Sequence, residues 1–395
     1  MSVLHKHAFT RSVVLKQLPP CLEATQALSS FPQGRFHDVI PRKNDSLVIK
    51  FLDSRSASQF TRKFLSLPRA PPLKDALIEY GRPAALPVEI LTAVGLKNAS
   101  RVIRVSSNNT KDIPETLIDD VKKCGPIESF ESDKKKAVIY FMSIDAAMKA
   151  SDILRTSEAY TGYSVYYGYD KKCDIPTPLP SDSQTDLVIT GIRKGATTSE
   201  LLRRIQSGLP NLNREVVRSI SFDEPNAKAF INFFEPAVAK IVFDSFNNAK
   251  SSTGGVSVSW LFKRSDPASA NLRMAVSAGA SRTISVSHLQ NVDQLRRVLK
   301  VAKNFGTVVS HPYSPFNTKT VKIEFADIFF AFKALDRIGK NMDSYPDFAG
   351  THISFATSTD KVKPMKIVCA TPTSKSESTQ AQDAPESSSV VHNES

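Results

Sequence analysis

Four cysteines in 395 residues, at Cys21, Cys124, Cys173 and Cys369, form no CxxC pair. That spacing argues against a zinc site or a disulfide framework and suits a reducing compartment. Long apolar runs are missing too. None approaches the roughly 20 residues that cross a bilayer, so a soluble protein with no membrane partner is expected. The seven histidines show no HxxxH or HxxEH pairing, and no Ser or Cys stands in a nucleophile motif. GIRKGATTSELL, from Gly191 to Leu202, lacks both the Lys-Ser/Thr ending of a phosphate loop and the spacing of a dinucleotide turn. Asp119, Asp120, Glu128 and Glu131 read as solvated helix and strand surfaces. The expectation is a non-enzyme with no catalytic residues, metal ligands or cofactor.

Acid is in short supply. Lys and Arg number 52 against 39 Asp and Glu, a net charge of +13. Such a balance favours a polyanion partner, nucleic acid or an acidic membrane surface. The excess is uneven. Residues 1–98 and 269–368 each hold 14 basic and 7 acidic residues, whereas 99–178 is balanced at 12 and 12. No acid precedes Glu23, and the first 18 residues are rich in basic and hydroxylated side chains. Two readings of that start stay open: a mitochondrial presequence, or a short tail ahead of a strand at Ser12–Leu18.

What is present is a repeat. SLVIKF (Ser46–Phe51), KAVIYF (Lys136–Phe141), KAFINF (Lys228–Phe233) and TVKIEF (Thr320–Phe325) are strand-like and recur about every 90 residues. Each runs straight into a pattern with apolar residues at intervals of three and four, as one buried helix face requires. Upstream of each lies another short β pattern: SVVLKQL, RVIRVSS, DLVITGI or TISVSHL. A second helix follows it, which in the third unit starts at a Thr197/Glu200 capping box. One strand then precedes the central one (RFHDVI, PIESFE, VRSISF, TVVSHP), and one closes the unit (PVEILTA, YSVYYGY, VSVSWLF, THISFA). The order is βαββαβ throughout, an α+β ferredoxin-like plan in four tandem copies. Two helices cover one face of each antiparallel sheet and leave the other bare, to be solvated or to cover something.

The expected domains are 10–96, 99–171, 184–264 and 280–360. Breaker-rich links are expected in the Pro-rich stretch before PVEILTA, in DIPTPLPSDSQ and in RSDPASANLRMAVSAGAS. A Ser-rich, acidic tail at 369–395, almost free of large apolar residues, is expected to be disordered.

This arrangement resembles the RNA recognition motif (RRM) repeated four times. KKCGPIESF (Lys122–Phe130) and NFGTVVS (Asn304–Ser310) look like that family's helix-to-strand corner. The resemblance implies single-stranded RNA as partner, stacked on aromatics at one position of the first strand and two of the third. Aligned on the closing Phe, the third-strand positions are Ser46 and Val48, Lys136 and Val138, Lys228 and Phe230, Thr320 and Lys322. Those of the first strand are Val14, Arg104, Val188 and Ser285. Phe230 alone is aromatic. Polypyrimidine-tract-binding proteins, a distant likeness, also carry four such domains with few aromatics at these sites.

Alternation assigns the bare faces. In NAKAFINFF, Ala229, Ile231 and Phe233 point to the helices, and Lys228, Phe230 and Asn232 to the open side. There Phe230 is placed to stack a base beside Val188, Lys228 to meet a phosphate, and Asn232 to read a base edge. The second unit offers Arg104, Lys136 and Tyr140, with several tyrosines on its last strand. The first offers Val14, Lys16, Val48 and Lys50, and the fourth Ser285, Ser287, Thr320 and Lys322, mixed faces suited to phosphate or hydrogen-bond contacts. Trp260, sharing a face with Val258 and Phe262, reads as core.

Two functions fit. One is a messenger-RNA-binding regulator acting after transcription, with several weak domains on one strand. The other is a protein-interaction scaffold whose domains have lost their stacking residues, with protein partners instead. The expected location is cytoplasm or nucleus, ahead of the mitochondrion.

Overall fold

The computed structural model describes residues 10–356, apart from 20–21, 44, 67–72, 108–110, 174–175, 178, 181–182, 194, 208–214, 249–255, 262–265 and 312–318. The expected disordered tail, the first nine residues of the leader-like start and Phe262 therefore lie outside the described residues. The first domain is β1 (Ser12–Lys16), α1 (Ala24–Ser29), β2 (Phe36–Arg42), β3 (Ser46–Phe51), α2 (Ser54–Ser66) and β4 (Leu77–Tyr80). A connecting helix, α3 (Val88–Lys97), leads to β5 (Val102–Ser107), α4 (Leu117–Lys122), β6 (Ile127–Ser132), β7 (Lys136–Phe141), α5 (Ile144–Thr156) and β8 (Tyr163–Tyr167). The third domain is β9 (Asp186–Thr190), α6 (Thr198–Ser207), β10 (Val217–Asp223), β11 (Lys228–Phe233), α7 (Pro236–Asn248) and β12 (Ser257–Trp260). A second connecting helix, α8 (Ala270–Ser277), precedes β13 (Thr283–Ser287), α9 (Val292–Lys303), β14 (Val308–Ser310), β15 (Thr320–Phe325), α10 (Ile328–Lys340) and β16 (His352–Phe355).

Each domain carries one four-stranded sheet in the order second, third, first, fourth strand, with every neighbouring pair antiparallel. The closing Phe of each central strand is fully buried: Phe51, Phe141, Phe233 and Phe325. The capping box forms as the spacing requires. Thr197 donates its amide to Glu200 Oε2 at 3.0 Å, and Glu200 donates its own to Thr197 Oγ1 at 3.2 Å. The corner glycines also have a physical role. A Cβ on Gly125 would lie 2.7 Å from that of Ala146, and one on Gly306 would enter the ring of Phe330, so both let the second helix approach the corner.

Two expectations fail. PVEILTA is no strand but the start of α3, and the strand that closes the first sheet is the upstream LIEY. Pro87 fits the helix N-cap, and Ile90, Leu91, Ala93, Val94 and Gly95 are buried on every side of α3, which suits a helix enclosed by other elements. The stretch read as a breaker-rich link at RSDPASANLRMAVSAGAS contains α8, with Ser269 accepting from the amide of Leu272 as its N-cap. Trp260 does stack on Phe243, ring centroids 4.9 Å apart, against the third core.

The domains are joined in pairs, and the two joints match. The Val39 amide on edge strand β2 donates to Met142 O beyond β7, and Asp38 bridges Ser143. In the second pair the Ile220 amide on β10 donates to Ala326 O beyond β15, and Ser219 bridges Asp327. The connecting helices then pack on each other. Asn98, at the end of α3, accepts from Asn271 at the start of α8, and Gly95 faces Ala275, so the two helices run antiparallel. Three domains have cores of their own; that of the fourth is continuous with α3 and α8.

Candidate nucleic-acid interface

The register places the ring residues. In the second domain Arg104 lies opposite Val138 on one side and Tyr166 on the other. Tyr166 is 44 % exposed, and Tyr169 just beyond the strand 56 %. The Arg104 stem crosses Gly168, where an added Cβ would sit 3.0 Å from both Cγ and Nε, and its buried Nε has no hydrogen-bond partner among the described residues. An exposed phenol beside a cation is suited to a stacked base with a nearby phosphate. Lys136 is exposed on the same face, opposite Ser106. Tyr140, in contrast, is only 8 % exposed, with Lys171 over its ring at 6.0 Å. It does lie on the open face, but its expected role as an accessible contact is corrected: the segment leaving β8 returns over that end of the sheet.

In the third domain Phe230 is half-exposed between Ser221 and Val188. Its flanking residues are short, and Lys228 follows on the same face, opposite Thr190. Asn232 is corrected as well. It is 5 % exposed, and its amide donates to Asp186 at 2.7 Å and Thr185 at 3.3 Å, which leaves no donor for a base edge. Val188 is buried too, and supports the ring rather than presenting itself.

The remaining faces differ in kind. In the first domain Lys16 pairs with Glu79 at 2.7 Å and Lys50 with Asp38 at 3.1 Å, so both cations are already partnered, while Val48 is buried. In the fourth, Ser285 lies between Lys322 and Ser354, and Ser287 between Thr320 and His352, whose exposed imidazole is the one ring among them. Ser310 donates to Glu324 at 2.6 Å, and Arg282 binds the same carboxylate.

A second set of residues escaped the sequence reading: Arg11, Arg101 and Arg282, each just before the first strand of its domain. All are buried, and each donates to the carbonyl of its closing Phe, at 2.8 Å to Phe51, 3.0 Å to Phe141 and 3.0 Å to Phe325. Beyond that shared bond they hold neighbours. Arg11 takes Ala84 O and Ala85 O; Arg101 takes Asp170 and Glu128 and lies over Phe36 of the preceding domain; Arg282 takes Val217 O of the preceding domain. Glu128, read as solvated, is thus a largely buried partner. The signal was a repeated hydroxyl–arginine dipeptide: Thr10-Arg11, Ser100-Arg101 and Ser281-Arg282. The hydroxyls act alike too, donating to Gly81 O, Gly168 O and Ala356 O after the fourth strand.

Among the described residues no group of three His, Cys, Asp or Glu side chains is placed to hold a metal ion. Burial pushes the Cys124 thiol up, away from a ready thiolate.

Strand order and connections define four domains with the fold of the RNA recognition motif. Solved structures similar to this chain are the Sex-lethal RNA recognition domains 1 and 2 of Drosophila melanogaster (17 % identity, 41 % of this chain and 100 % of that one, TM-score 0.22) and the N-terminal three RNA-binding domains of the yeast splicing factor Prp24 (18 %, 60 % and 91 %, TM-score 0.17). At these scores the fold assignment rests on the topology, not on superposition. No family model matches the sequence. A curated relative, the meiotically up-regulated gene 24 protein of Schizosaccharomyces pombe, is 23 % identical over 382 residues, covering 88 % of this chain and 55 % of the relative. The chain spans about half the length of that relative.

Proposed function

We propose that this protein binds single-stranded RNA and acts on messenger RNA after transcription, in the cytoplasm or nucleus. The observation that carries the reading is a half-exposed ring beside a cation on two separate sheets: Tyr166 with Arg104, and Phe230 with Lys228. A π-face accepts any base, and a nearby cation neutralises phosphate, so each sheet is a weak platform with little sequence preference. Two platforms on one chain raise each other's effective concentration on a long strand.

The test is a titration of the full-length protein with labelled single-stranded RNA. Tyr166→Ala and Phe230→Ala are each expected to weaken binding by about 1–3 kcal/mol, with melting unchanged. Unaltered affinity in the double variant would remove both rings from the site. A C-terminal fluorescent fusion that stains mitochondria would overturn the location.

The scaffold reading has its own support: Val48 and Val188 are buried at the middle of their sheets, and neither the first nor the fourth face presents a Phe, Tyr or Trp at its paired positions. Crosslinking in cells that recovers proteins but no RNA would favour it.

A further inference from the structure

The fourth domain has the most basic helices. On α9, Lys300 and Lys303 are exposed one turn apart, and on α10 Lys333 and Arg337 are likewise. Neighbours three or four positions apart on a helix stand roughly 5–6 Å from each other. The nearby carboxylates are already engaged: Asp293 with Arg296 at 3.3 Å, Asp347 with Arg297 at 2.7 Å, and Asp336 with Lys97 at 2.8 Å and Lys340 at 3.3 Å. None of the four cations has a carboxylate partner among the described residues. The matched domain shows that the fold does not require this. In the second domain, Lys122 and Lys123 on and just after α4 pair with Asp119 and Asp120, and α5 keeps an exposed Lys149 where α10 carries Lys333 but has Ile153, 46 % exposed, where α10 carries Arg337.

We propose that the helical side of the fourth domain, at Lys300, Lys303, Lys333 and Arg337, is a second RNA surface that takes the phosphate backbone. It rests on the RNA reading above and adds a site opposite the sheets. The charge complementarity is with a polyphosphate strand, and cations on rigid helices hold it without reading bases. The ring-bearing sheets and this cationic face then divide the work: stacking on the second and third domains, phosphate neutralisation on the fourth.

The experiment measures affinity of the full-length protein for a long single-stranded RNA as salt is varied. The variant Lys300→Gln/Lys303→Gln/Lys333→Gln/Arg337→Gln is expected to flatten the slope of log K against log salt by about 3, at roughly 0.7 per phosphate contact. Its affinity at 0.15 M salt falls at least about tenfold on the same relation. A control with the three lysines changed to Arg keeps the slope, which separates charge from packing. The Tyr166→Ala/Phe230→Ala variant loses affinity with the slope kept. A wild-type protein that binds no RNA would defeat the function proposed above. Wild-type binding with an unaltered slope in the glutamine variant would overturn this surface alone. Loss of binding to phosphatidylserine vesicles in that variant, with RNA binding intact, would overturn it in favour of a membrane.

Discussion

The first pair of domains and the second pair make the same joint with different side chains. In both, one amide of an edge strand donates to the carbonyl after the next domain's central strand: Val39 to Met142, and Ile220 to Ala326. At one matched position the first pair has a His37–Asp145 contact of 3.0 Å, and the second has Arg218 over the Phe329 ring at 5.4 Å. A hydrogen-bonded pair and a cation–π contact thus do the same task. The backbone pairing specifies the joint, and the side chains around it are interchangeable so long as each satisfies its neighbour.

The sharpest way to break the comparison is through the arginines. Arg101→Met strands two carboxylates, Asp170 and Glu128, with side chains 4 % and 14 % exposed. Removing one partner of such a buried set is expected to cost about 3–5 kcal/mol, read by urea unfolding of the full chain. Arg11→Met is expected to cost less, because its main acceptors are backbone carbonyls. The third domain has Thr185 at that place, its carbonyl accepting from the Phe233 amide. Equal costs for Arg101→Met and Arg11→Met would show that the carboxylates are not what matters.

An intermediate effect is expected where the pairs meet. A Cβ on Gly95 would run into the fully buried Phe332 ring and reach the Ala275 Cβ at 3.0 Å. Gly95→Ala is expected to destabilise by about 1–3 kcal/mol, with a lowered thermal midpoint, because a packed ring has nowhere to go. Full tolerance would mean that α3 and α8 slide freely.

Acid should separate the joints by the smallest margin. The hydrogen bond from His37 holds the Asp145 carboxyl below the usual range, against an opposing desolvation. Its contribution is complete above the ordinary value of about 3.9 and is lost as pH falls through the depressed folded value. Burial pushes Asp327, in the second joint, the other way. Its folded form binds the proton more tightly than the unfolded chain does, so that joint gains as pH falls through the raised value. Protection of the Val39 amide, corrected for intrinsic exchange, is expected to drop relative to that of Ile220 on acidification. A parallel change in both would break the distinction.

Much of the fold was legible because the central strands share a length, a closing Phe and a following helix. The closing strand of the first domain was not: LIEY has four residues, with Leu77 and Glu79 outward, in a Pro-rich stretch that reads as a breaker. Alternation put Tyr140 and Asn232 on the open side correctly, but it cannot see a segment crossing the sheet or an amide tied to Asp186. It left Tyr166 unchosen among the tyrosines of one strand, and only its register against Arg104 singles it out. The joints between domains were invisible, since backbone pairing leaves no mark on side-chain pattern.

The antiparallel pairing of α3 with α8 also bears on how the chain is made. α3 leaves the ribosome about 180 residues before its partner helix, a wait of roughly 10–40 s at 5–20 residues per second. Through that interval Ile90, Leu91, Val94 and their neighbours, all buried at the end, have no finished place to go. Slow synthesis or a truncated transcript would prolong that exposure and give holdase chaperones their natural target on this nascent polypeptide.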